Sequence, residues 1–300
     1  MKLRVGYLIS GIATGLVLLA GFLTSLPDGN LHIVFCAVGQ GDAAYIRFAD
    51  GRDMLIDGGP DNKVIDCLGR HMPFWDRSLD LVVLTHPQKD HMQGLIEVVK
   101  RFRVGRFARS DVAHTSEGYA KLQEAIQSRG VAVKFVEQGE QVNIGEARIS
   151  VLWPSGEQLA RADSSNLAVE EGTINVLGAA VGDLNDFSVV FHLRYGTFDA
   201  IFTGDADTRV EGSYRGVPLA PDPIEVLKVP HHGSRTGMSE AYLDWISPRL
   251  AVISVGKNNY GHPAPEILSM LSARSILTRR TDAAGDVEVV TDGQGWSVED

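Results

Sequence analysis

LDLVVLTHPQKDHMQG, residues 79–94, is the stretch on which the fold turns. Leu79 to Leu84 form a nearly continuous apolar run, the mark of a strand buried on both faces. The run stops at Thr85. His86, Asp90 and His91 then follow before helical spacing begins in MQGLIEVVKRF, residues 92–102. Loops leading from a buried strand into a helix, at the edge of a sheet, are where α/β proteins place catalytic groups. Imidazole and carboxylate are the ligand types that suit zinc, manganese or iron. Taken alone the loop also has a plainer reading, with Asp90 capping the helix and His86 a hydrogen-bonded loop residue.

Two further strand ends shift the balance. FTGDAD (202–207) places Asp205 in an equivalent loop, and VPHHGS (229–234) delivers His231 and His232 at the end of a third strand. Separately, Asp205 reads as a turn aspartate and the histidine pair as surface residues. Together, three strand ends carrying carboxylate and imidazole supply enough ligands for one or two divalent ions. A carboxylate such as Asp205 can bridge two ions about 3.5–4 Å apart.

The surrounding chain alternates short strands with helices. Strands are predicted at 31–38, 43–49, 53–59, 79–85, 131–136, 147–154, 187–195, 198–204, 225–230 and 250–256, with a hairpin around 285–298. Helices are predicted at 61–72, 92–102 and 117–128, and residues 155–186 lack periodicity, as functional or mobile segments do. This pattern predicts a mixed α/β sandwich, two facing sheets with helices on the outside.

Composition bounds the function. The 300 residues are 44% hydrophobic and 22% charged, which excludes a disordered, collagenous or polytopic membrane chain. A formal charge of −10 disfavours indiscriminate binding of duplex nucleic acid unless a local basic patch overrides it. Cys36 and Cys67 are too few for a thiolate metal site, and their spacing leaves open whether they pair. Lys2 and Arg4 precede an uncharged stretch from Val5 to Leu26, long enough as a helix, about 33 Å, to cross a bilayer. Residues 1–30 are therefore expected to be a signal-anchor or a cleaved signal peptide, with residues 31–300 forming the one folded domain. That arrangement places the domain outside the cytoplasm, tethered to the membrane, or secreted or periplasmic after cleavage.

The order of blocks VGQGDA (38–43), LIDGG (55–59), THPQKDHMQGL (85–95), NDFSVV (185–190), FTGD (202–205), LKVPHHGSRTG (227–237), ISVGKNNYGHP (253–263) and TDAAGD (281–286) resembles the metallo-β-lactamase fold. More narrowly it is similar to the C-terminal hydrolase-like domain of the ComEC DNA-uptake family, without the multi-span channel portion. The resemblance implies a four-layer αββα sandwich and metal-assisted hydrolysis with one or two zinc or manganese ions. By the same resemblance His86, Gln88, Asp90, His91, Asp205, His231 and His232 occupy metal-ligand positions. Asp90, His232 and His262 take catalytic roles, while Asp57 and Asp42 support the ligands. Ser234, Lys257 and Asn258, with His262, are placed to bind phosphate oxygens or protonate a leaving group, or else to structure their loops.

Three positions depart from the pattern. The family motif reads H-x-H-x-D-H or H-x-D-x-D-H, but position 88 is Gln, a weaker ligand for zinc. Ala37 stands where an aspartate is usual, and no histidine is evident between the first motif and FTGD, since His114 lies in a polar loop and His192 in mid-strand. The leading function is an exported phosphodiesterase or nuclease for a small, single-stranded or lipid-linked phosphodiester, with no protein partner identifiable. The alternatives are a non-catalytic binding or assembly module of the same fold, motivated by Gln88 and Ala37, and a lactone, thioester or β-lactam hydrolase.

Overall fold

In LHIVFC the residues Leu31, Ile33 and Phe35 pack into one buried cluster and Val34 and Cys36 into another. A strand buried on both faces must lie between two apolar layers, and the architecture follows from that. The computed structural model describes residues 2–24, 26–112, 114–164, 183–217, 219 and 223–299. Its strands are β1 (Leu31–Phe35), β2 (Ala44–Arg47), β3 (Asp53–Ile56), β4 (Ser78–Leu84), β5 (Arg103–Arg109), β6 (Ala132–Phe135), β7 (Gln141–Ile144), β8 (Ala147–Trp153), β9 (Val190–Tyr195), β10 (Phe198–Phe202), β11 (Val226–Lys228), β12 (Leu250–Ile253), β13 (Leu277–Arg280), β14 (Val287–Thr291) and β15 (Trp296–Glu299). The helices are α1 (Lys2–Thr24), α2 (Lys63–His71), α3 (Lys89–Met92), α4 (Leu95–Arg101), α5 (Glu117–Ser128), α6 (Gly156–Ser164), α7 (Glu211–Tyr214), α8 (Glu240–Ile246), α9 (Pro265–Ala273) and α10 (Thr281–Ala284).

One sheet runs β15-β14-β1-β2-β3-β4-β5-β6 and the other β13-β12-β11-β10-β9-β8-β7. Their facing sides share one core, with Ile33, Phe35, Ile46 and Ile56 opposite Phe191, Leu193, Phe202 and Val252. Phe202 joins the two layers, 5.9 Å from the Phe35 ring and 4.9 Å from that of Phe191. The outer face of the first sheet is covered through Val64 and Leu68 of α2, Val98 and Val99 of α4, and Leu122 of α5. The second is covered through Tyr214 of α7, Leu243 of α8 and Ile267 of α9. The result is the expected αββα sandwich.

Parallel pairing is what builds a site on this frame. β3 runs parallel to β4, β10 to β11 and β11 to β12. The loops that follow these strands therefore leave from matching edges. Cys36 and Cys67 form a disulfide tying the chain just after β1 to α2, which settles the pairing left open by their spacing.

Three expectations need correction. The apolar stretch does form α1, but among the described residues no helix is long and apolar enough to cross a membrane. The single helix expected at 92–102 is instead α3 and α4, with Gly94 between them. A Cβ there would lie 2.0 Å from the carbonyl oxygen of Gly58, so only glycine lets this turn approach β3. Of the stretch without periodicity, α6 and a short 3₁₀ turn at Leu184–Phe187 are structured, and residues 165–182 lie outside the described residues.

Candidate metal centre

Asp90, His91, Asp205 and His232 come together at the common edge, each offering a ligand atom within 4.8 Å of the others. Asp90 and His91 come from α3, Asp205 from the loop after β10 and His232 from the loop after β11. The His91 Nε2 atom lies 3.2 Å from Asp205 Oδ1. His232 Nε2 lies 3.4 Å from both Asp90 Oδ2 and Asp205 Oδ2. Asp90 sits within the first turn of α3, where its carboxylate faces His232 rather than capping the helix.

The outward nitrogens of both imidazoles are set by what holds the inner ones. His91 Nδ1 donates to Asp57 Oδ2 at 2.8 Å. Asp57 is fixed in turn by the backbone N–H and hydroxyl of Thr85, at 2.8 and 2.7 Å. His232 Nδ1 donates to the Ser254 carbonyl at 2.9 Å and lies 3.3 Å from Asp42 Oδ1. Asp42 is neutralised by buried Lys228, whose ammonium also donates to the Gly204 carbonyl at 3.2 Å. Asp57, His231 and His232 all have left-handed backbones, with φ of 56°, 49° and 52°. For non-glycine residues each costs about 1–3 kcal/mol, the kind of strain that persists where surrounding structure over-determines it and that clusters at functional sites.

Whether these residues fit a cation is answered by their spare atoms. His86 Nε2, His91 Nε2, His232 Nε2 and Asp205 Oδ1 are all buried and have no hydrogen-bond partner among the described residues. Buried nitrogens and oxygens left unpaired are costly, and a divalent ion satisfies them at once. Electrostatics agree. Burial alone would raise the Asp205 carboxyl, but the imidazoles of His232 and His91 hold it well below the usual carboxylate range. Burial works against protonation of His91 and His232, yet Asp205 above all raises both. For Asp90 too burial is outweighed, first by the His232 imidazole beside it, and its carboxyl is lowered.

The other predicted residues divide. His86 is buried against this group, its ring 4.1 Å from that of His91, with Nδ1 3.1 Å from the hydroxyls of both Thr85 and Ser188. Burial pushes its pKa down to about 3, so it is a neutral imidazole. His231 stands further out, Nε2 3.8 Å from Asp205 Oδ2 and 3.4 Å from the Asn185 amide nitrogen. Gln88 lines the cleft above the cluster, about 680 Å³ in volume, together with Lys257, Asn258, Tyr260 and His262. Asn258 is not free to bind phosphate. Its amide nitrogen donates to the carbonyls of Gly256 and His262, and its oxygen accepts from the N–H groups of Tyr260 and His262. It is the staple of its loop. Ser234 likewise faces Thr236, at 3.3 Å, and does not line the cleft. His192 is satisfied by Asp199 at 2.6 Å, and His114 by Ser116 at 2.8 Å. The backbone N–H of Ala37 is taken by Asp286 at 2.8 Å.

Sequence reasoning missed Thr85, Ser188, Lys228 and Ser254 as supports. Ser188 lay inside the quoted NDFSVV block, and a lysine ending the apolar run EVLKVP was a visible anomaly.

The family model described as "Metallo-beta-lactamase superfamily" matches residues 36–257. "ComE operon protein 3" of Bacillus subtilis (strain 168) is 28% identical over 214 residues, covering 71% of this chain and 24% of that protein. "Competence protein ComA" of Neisseria gonorrhoeae is 26% identical over 281 residues, covering 91% of this chain and 34% of the relative. The chain thus spans a quarter to a third of these two curated relatives. Among solved structures, the metallo-beta-lactamase fold protein YhfI from Bacillus subtilis superposes with a TM-score of 0.52 at 11% identity, over 86% of this chain and 99% of that one. Tm1679, described as a metal-dependent hydrolase of the beta-lactamase superfamily, gives 0.53 at 14% identity, over 85% and 98%.

Proposed function

The chain belongs to the metallo-beta-lactamase superfamily, and from that premise we propose that it is a metal-dependent phosphodiesterase acting on a small or single-stranded substrate outside the cytoplasm. One observation carries the reading: the convergence of Asp90, His91, Asp205 and His232 beneath an open cleft, with buried ligand atoms left unpaired. These four residues would hold the ion, and His86 with His231 stands beside them. A divalent ion, zinc or manganese, supplies Lewis acidity and a nucleophile at neutral pH. The protein's own parts do the rest. Asp57 and the Ser254 carbonyl hold the two imidazoles so that Nε2 faces inward. Asp90, with its side chain 31% exposed, is the carboxylate of the group that an entering substrate meets, and it orients the attacking water. His262 lines the cleft with Nδ1 unpaired among the described residues. Burial, His231 and His232 lower its pKa, so at neutral pH it is an uncharged hydrogen-bond partner for a phosphoryl oxygen or leaving group.

The phosphodiester is favoured over a lactone, thioester or β-lactam because Lys89 and Lys257 line the cleft of a chain with net charge −10. The competence names of the curated relatives support a role in nucleic-acid handling. The Cys36–Cys67 disulfide supports an oxidising compartment. The exposed apolar side chains Leu8, Ile12, Leu16 and Leu19 support membrane association through α1. Purified full-length protein with manganese or zinc and bis-p-nitrophenyl phosphate tests the activity. Turnover that disappears with Asp205→Ala is expected, and a folded parent inert with either metal would refute it. A non-catalytic binding module is the second reading, favoured by Gln88 in a ligand position; it requires a folded chain that takes up no metal.

A further inference from the structure

The loop after β12 does more than close the cleft. Tyr260 is 76% exposed, yet it lines the same cleft as Asp90, Asp205 and His232. An exposed aromatic ring in so polar a setting has a free face. Its backbone is held, because the Tyr260 N–H donates to the Asn258 side chain at 3.0 Å and the same amide clamps both ends of the loop. The Tyr260 ring centroid lies 5.7 Å from that of His262, His262 lies 5.6 Å from His231, and His231 6.3 Å from His232. A row of rings thus leads from solvent down to the metal-ligand group. Lys89 and Lys257 line the same cleft, and among the described residues neither ammonium group is in an ion pair.

A free cation beside a pre-positioned aromatic face, next to a site that attacks phosphodiesters, is the pairing that single-stranded nucleic acid recognises: phosphate on the lysine, base on the ring. We propose that Tyr260 is the base-binding platform of the cleft, stacking an unpaired nucleobase adjacent to the scissile phosphodiester while Lys257 takes a neighbouring phosphate. This rests on the phosphodiesterase reading and adds to it the part of the substrate that is gripped. It also accounts for how an acidic chain retains such a substrate, since stacking is insensitive to net charge.

The test compares hydrolysis of an oligothymidylate with that of an equally long oligomer whose residues are all abasic, using the full-length metal-loaded protein. The parent has a KM for the base-bearing oligomer lower by about 5- to 150-fold, the range of one base–aromatic stack. Tyr260→Ala brings that ratio close to one, through KM rather than kcat, and Tyr260→Phe retains it. Because Tyr260 is exposed, neither variant disturbs the core, and circular dichroism verifies this. Equal KM values in the parent, or a ratio that survives Tyr260→Ala, would overturn the proposal. Turnover of bis-p-nitrophenyl phosphate without turnover of either oligomer would overturn it while leaving the phosphodiesterase standing. Turnover of none of the three would remove both.

Discussion

Lys228 to Met is the substitution with the largest consequence far from the cleft mouth. Lys228 and Asp42 are 3% and 5% exposed and form an ion pair, the lysine also donating to the Gly204 carbonyl. Methionine keeps the volume of the stem but removes the charge, leaving the buried Asp42 carboxylate without its cation, while the Gly204 carbonyl keeps the His231 N–H at 3.2 Å. Breaking a buried pair from one side costs about 3–5 kcal/mol. His232, 3.3 Å from Asp42, recovers part of that in the metal-free chain, so the lower end, about 3 kcal/mol, is expected. Adding Asp42→Asn removes the stranded charge and restores roughly half of the loss, about 1.5 kcal/mol. Urea unfolding of metal-free protein, followed by fluorescence and circular dichroism together, measures both. A Lys228→Met variant within about 1 kcal/mol of the parent, or a double variant no better than the single one, would show that the pair does not hold this loop.

Three further outcomes follow from the same geometry. Asp57→Asn weakens zinc binding by about 10- to 100-fold, measured by chelator competition, because it removes the acceptor that orients His91. Replacing Cys36 and Cys67 together with alanine lowers unfolding free energy by about 3–4 kcal/mol, since the bridge closes a loop of 31 residues. His71 is raised to about 9, chiefly by hydrogen bonds to Asp286 and Glu288. A raised folded pKa contributes stability that is fully present below the unfolded value of 6.5 and fades as pH rises through 9. For this partly exposed group the contribution is about 1 kcal/mol after screening, and NMR titration should find the His71 pKa lowered toward 6.5 in Asp286→Asn, which leaves Glu288 alone to raise it.

The sandwich and its layers were legible because the apolar runs had the right period. LDLVVL announced a doubly buried strand, and the chain between strands had helical spacing in the segments that became α2 and α5. Among the elements that escaped are α8 and α9, short helices whose apolar faces make sense only against the second sheet, and the strands β5, β7 and β13, the last two being edge strands of that sheet with little buried apolar surface. At the site the candidate residues and their three loops could be read directly, since imidazoles and carboxylates at strand ends are chemically conspicuous, and the structure brings Asp90, His91, Asp205 and His232 together. The choice between His231 and His232 could not. It depends on consecutive left-handed residues after β11 that turn one ring inward and leave the other toward the cleft. Asn258 illustrates the opposite limit: its position in GKNNYGHP suggested phosphate binding, but all its hydrogen-bonding groups are spent on its own loop. Hydroxyl and carbonyl supports such as Thr85, Ser188 and Ser254 carry no local signal, because their roles exist only once two sheets meet.

If four side chains from three loops grip a divalent cation, the metal content of the purified protein shows it. Full-length protein, dialysed after exposure to zinc or manganese and assayed by elemental analysis, should retain at least one ion per chain. Asp205→Ala should lose that ion, and Gln88→His should retain more than the parent. A folded parent that carries no metal, or an Asp205→Ala variant that binds as much as the parent, would contradict the account.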